Sequence, residues 1–115
     1  MATNNNDYDF VINCTDGVCD PNEHDYNGYL ERLQAKEGSL KELVHEAKAI
    51  FDETKDAVKD YARFVMTLNH LLWHHYNNGD EDMARLYDGL WRQADGFAYK
   101  HFKGDDLDWY IRYLD

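Results

Sequence analysis

From Leu40 onward, apolar residues recur at Leu40, Val44, Ala47, Phe51, Val58, Tyr61, Val65, Leu68 and Leu72, widened by Leu43, Ile50, Phe64 and Leu71. Steps of three, four and seven are the signature of an amphipathic helix. Ser39, the only serine in the chain, precedes the run, and Glu42 stands three residues on. That pair makes a capping box, which satisfies the free N–H groups of a helix start. No Pro or Gly follows until Gly79. The pattern therefore predicts one helix over 39–76, about 38 residues and about 57 Å long. A stripe of that length needs a partner.

The partner follows directly. Asn77-Asn78-Gly79 suits a helix end, because Asn and Gly tolerate the left-handed backbone found there. Asp80 caps a second helix over 81–103, with Glu81 and Asp82 at the positive end of its dipole. Its inner face is Met83, Leu86, Tyr87, Leu90, Ala94, Phe97 and Ala98, with Trp91 and Phe102 at the edge. A short connection forces antiparallel neighbours, so 39–103 reads as a long helical hairpin. Gly104 ends it, and Asp105 caps a C-terminal helix over 105–115 carrying Leu107, Tyr110, Ile111 and Leu114. Upstream, Tyr26, Tyr29, Leu30 and Leu33 mark a short helix over 26–37. Gly89 and Gly96 share one face of the second long helix; a closely packed neighbouring backbone accounts for them best, with a shallow partner groove as the alternative.

Residues 1–25 follow another pattern. Phe10 to Thr15 and Val18-Cys19 flank Asp16-Gly17, a two-residue hairpin signal that sets Cys14 opposite Cys19. The expected fold is thus mainly α, a helical hairpin or small helical bundle with a short N-terminal β-hairpin. It forms a single domain over 1–115, as a length of 115 residues suggests. The start of the chain lacks the basic and apolar stretches of a signal peptide, so the expected compartment is cytoplasmic and the thiols free. A Cys14–Cys19 disulfide, or a metal site with Asp20 and His24, are the alternatives.

Charge changes the picture more than composition does. Lys plus Arg number 12 against 23 Asp plus Glu, for a net charge of −11. Hydrophobic residues at 43% and aromatics at 15% exclude a disordered acidic chain. The acidity excludes direct binding of nucleic acid or an anionic membrane surface, since both need basic patches. Residues 1–25 hold six acids (Asp7, Asp9, Asp16, Asp20, Glu23, Asp25) and no Lys or Arg. In the tail, Asp105, Asp106 and Asp108 are interleaved with Trp109, Tyr110 and Tyr113.

Catalytic signatures are missing. One serine, no phosphate loop and no nucleophile elbow remove most enzyme classes. Asp52, Asp56 and Asp60 stand among Lys48, Lys55, Lys59 and Arg63, the mark of a solvated, salt-bridged face. His70 and His74 are spaced as half a metal site but fall on the polar side of the predicted helix, so no cofactor is expected.

The functional expectation is a non-enzymatic binding protein that docks on a basic protein surface, such as that of a nuclease. Carboxylates would mimic nucleic acid and aromatics would supply short-range contact energy. The expected contact residues are Asp105, Asp106, Asp108 and Trp109, then Asp7, Asp9, Asp20, Glu23 and Asp25. In size and charge alone, the chain is similar to small acidic inhibitors carried by phages and mobile elements, an analogy without a shared motif. A self-associating helical scaffold, for instance a homodimer that covers the stripe, is the alternative; a histidine metal-binding protein is a third reading.

Overall fold

A computed structural model of the chain describes residues 28–114 as five helices. They are α1 (Tyr29–Gln34), α2 (Leu40–Thr54), α3 (Val58–Asn77), α4 (Glu81–His101) and α5 (Gly104–Leu114). There is no strand among the described residues. The β-hairpin expected at 10–19, with Cys14 and Cys19, lies outside them.

The predicted single helix over 39–76 is two. Thr54 folds its hydroxyl back onto the Ile50 carbonyl at 2.8 Å, and Ala57 adopts an extended backbone (φ −122°, ψ 96°) before α3 begins. Thr and Asp weaken a helix by offering the backbone such alternatives, and Thr54-Lys55-Asp56 supplies both. Packing gives the larger reason. Phe51 and Tyr61 would sit about 15 Å apart along a straight helix. In the fold their ring centroids are 5.8 Å apart, and Phe51 also meets Phe97 at 4.8 Å. The longest dimension of the molecule is 38 Å, too short for an unbroken 39–76 helix.

The rest of the hairpin follows the sequence. Ser39 Oγ accepts from the Glu42 N–H at 3.4 Å, and Asp80 Oδ1 from the Met83 N–H at 3.2 Å. Gly79, at φ 82°, makes the left-handed turn between α3 and α4. α3 and α4 pack antiparallel, and α3 is the hub, touching each of the other four helices. α1 is shorter than the 26–37 expectation, with turns over 35–38. It is held to α2 by Arg32, which donates to Glu46 at 2.7 Å and to Glu53 at 2.8 Å. The Arg32 guanidinium holds the Glu53 carboxyl below the usual carboxylate range.

Three fully buried tyrosines tie the core, each with its hydroxyl satisfied, as burial demands. Tyr61 donates to the Ala94 carbonyl at 2.6 Å, Tyr87 to Glu37 at 2.6 Å and Tyr110 to Asp95 at 2.7 Å. Around Tyr61 stand Phe51, Phe64, Phe97, Phe102 and Tyr110.

The glycines of α4 do not mark close packing. A Cβ at Gly89 or Gly96 would meet no atom within 4 Å. Gly96→Ala is therefore expected to stabilise the fold by about 0.5–1 kcal/mol, because Ala costs less backbone entropy in a helix. Urea melts of the variant check it; a loss of stability would reveal a contact at that face.

Candidate functional site

α5 begins at Gly104 and places Asp105, Asp106 and Asp108 in its first turns, all exposed. The positive end of the helix dipole tolerates this concentration of carboxylates. What distinguishes them is that three cluster without compensation, whereas Glu31, Glu81 and Asp95 lack a nearby Lys or Arg singly. Every carboxylate of α2 and α3 lies within 4.0 Å of a Lys or Arg: Glu42, Glu46, Asp52, Glu53 and Asp60. On α4, Asp82 and Asp88 are paired in the same way. Among the described residues, Asp105, Asp106 and Asp108 have no cation that close.

The aromatic neighbours divide. Trp109 is half-buried, stacked on Tyr113 at 5.0 Å and 13°, with Lys59 Nζ of α3 5.7 Å from its ring centre. Tyr110 turns fully inward. The structure thus brings Asp105, Asp106 and Asp108 together beside a Trp109 already used on its faces. Asp7, Asp9, Asp20, Glu23 and Asp25 lie outside the described residues.

The expected acidic ladder is interrupted, because 52–60 spans the α2–α3 corner. Asp52 pairs with Lys48 at 3.3 Å and Asp60 with Arg63 at 3.0 Å, while Asp56 meets His101 at 3.1 Å. His70 and His74 are half-buried, against the expectation that both face solvent. The bend lets α2 and α4 flank α3, so the polar side of a single helix does not persist. Among the described residues no three His, Cys, Asp or Glu side chains come together as a metal site.

Two features were missed by the leading sequence reading. His75 Nε2 lies 3.0 Å from Glu37 Oε2, the same oxygen that accepts from Tyr87. The His75 ring stacks on Tyr87 at 5.6 Å and 9°, and its Nδ1 lies 3.7 Å from Asp80. Burial first, and then the hydrogen bond to Glu37, push the Tyr87 phenol well above its ordinary pKa. The cluster clamps the chain before α2 to the α3–α4 turn. Residues 37, 75 and 87 share no spacing that a sequence reading could detect.

The second feature is a groove of about 310 Å³ between α2 and α4, floored by Phe64 and Leu68 of α3. Val44, Ala47 and Phe51 form one wall, and Leu90, Ala94 and Phe97 the other. It lies beside the glycine face of α4, where the sequence offered a groove only as the alternative reading.

These features define an acidic, mainly α protein whose described residues form five helices with an uncompensated carboxylate edge and an apolar groove. No family model matches the chain, and comparison with curated proteins and with solved structures finds no match either. No helix among the described residues is long and apolar enough to cross a membrane.

Proposed function

We propose that this protein is a non-enzymatic binding protein that docks its acidic edge on a basic protein surface, one that otherwise holds nucleic acid, and thereby inhibits its partner. The observation that carries this reading is the exposed, uncompensated trio Asp105, Asp106 and Asp108 in a protein whose other helices pair most of their carboxylates. The dipole of α5 favours carboxylates at its start, but no nearby cation offsets the mutual repulsion of three of them, so their concentration on one helix favours a role in the field outside the molecule. The six acids of residues 1–25 add to that field. A nuclease or other nucleic-acid-binding protein of the cytoplasm has the matching charge.

Charge reversal tests the reading. The protein is used to capture partners at low salt, and each captured protein is then offered duplex DNA or RNA as a competitor. Joint replacement Asp105→Lys, Asp106→Lys and Asp108→Lys should slow association about tenfold or more and flatten its salt dependence. Nucleic acid should displace the wild-type protein. Unchanged binding by the triple variant, or a partner indifferent to nucleic acid, would refute the proposal.

A further inference from the structure

We propose that the groove between α2 and α4 is the docking site for this chain's own residues 8–12, Tyr8-Asp9-Phe10-Val11-Ile12. The groove is an unfinished core. Phe64 and Leu68 on its floor are buried, yet Val44 on its α2 wall remains 42% exposed, and Leu40, one turn earlier on α2 and outside the lining, 56%. Apolar surface of this kind gains by being covered. Residues 8–12 carry the apolar cluster of an otherwise polar, acidic arm.

Geometry, charge and connection agree on this occupant. In an extended segment, Tyr8, Phe10 and Ile12 point to one side and span about 13 Å. Val44 to Phe51 along α2, and Leu90 to Phe97 along α4, each cover about 10 Å. The only charged side chain among the lining residues is a cation, Lys48, which Asp52 approaches at 3.3 Å, and the segment brings Asp9, with Asp7 just before it. The arm joins the described fold at Gly28, next to Tyr29, whose ring stands edge-on to Phe64 of the groove floor at 6.4 Å. At about 3.3 Å per residue, the 15 residues between Ile12 and Gly28 reach about 50 Å, beyond the 38 Å length of the molecule. Tethering then holds the segment at an effective concentration near millimolar, so a modest contact suffices. The contact is intramolecular and stands apart from the partner reading, since its test contains no partner.

The full chain carrying Phe10→p-benzoylphenylalanine is irradiated, and the cross-linked peptides are identified by mass spectrometry. The expected products are intramolecular, joining position 10 to 44–51 or 90–97. Val44→Asp and Gln93→Glu, both at exposed positions, place a carboxylate where the acidic segment would lie and should each remove most of that product while leaving the helical circular dichroism intact. Cross-links elsewhere in the chain, no cross-links, or full yield in both variants would overturn the proposal. Products joining two chains would give the groove to a second copy instead, which also overturns it.

Discussion

Replacing Tyr61 by Ala is expected to cost the fold about 3–5 kcal/mol, which is the range for removing a large buried aromatic side chain. Tyr61 is fully buried and is the point where α2, α3, α4 and α5 meet. Its ring touches Phe51 across the corner and Phe97 on α4, and its hydroxyl holds the Ala94 carbonyl at 2.6 Å. A domain of this size is stable by about 5–15 kcal/mol, so this one change removes a large share. Tyr61→Phe separates the two contributions. It keeps the packing and loses one buried hydrogen bond, for an expected cost of about 1–2 kcal/mol. Urea unfolding followed by circular dichroism measures both. A Tyr61→Ala cost below about 1 kcal/mol would mean that the aromatic cluster does not hold α2 onto the hairpin.

At high pH the protein is expected to unfold cooperatively just above the ordinary tyrosine range. Burial is the main force raising the pKa values of Tyr61, Tyr87 and Tyr110; Asp95 adds to it for Tyr61 and Tyr110, and Glu37 for Tyr87. In the unfolded chain these phenols ionise near 10.0, the ordinary value for tyrosine. The folded state therefore keeps protons that the unfolded state releases. The stability they contribute is intact below pH 10 and falls as pH rises above it. Each phenol costs about 1.4 kcal/mol per pH unit there, and the three together about 4 kcal/mol. Tyrosinate absorbance and helical dichroism should show a shared transition, with the buried phenols ionising only as the helices melt. Tyr87→Phe should make the decline shallower by about a third. Smooth ionisation of all tyrosines with the helices intact would show that these three are not held neutral.

How much of this was legible in the sequence depends on how far each determining interaction reaches along the chain. Caps and stripes act within a turn or two, so Ser39, Asp80 and Gly79 placed the starts of α2 and α4 and the turn between α3 and α4 correctly. The inward faces of α3 and α4 were also readable, because helical periodicity and burial are the same statement there. The bend at 55–57 was not. No Pro or Gly stands in that segment, Thr54 and Asp56 weaken the helix only slightly, and the meeting of Phe51 with Tyr61 and Phe97 is what makes two helices better than one.

The site divides on the same line. That Asp105, Asp106 and Asp108 crowd one helical start is written in the sequence. That they alone form a helix-borne trio without cations among the described residues depends on where Arg32, Lys48 and Arg63 go in the fold. Trp109 read as an exposed anchor until α5 packed against α3 and set it beside Lys59. The clamp of Glu37, His75 and Tyr87 belongs to the tertiary structure alone, and the groove between α2 and α4 was hinted at only by Gly89 and Gly96. Each joins residues from separate helices or turns, and local propensity carries no information about which of them will face one another.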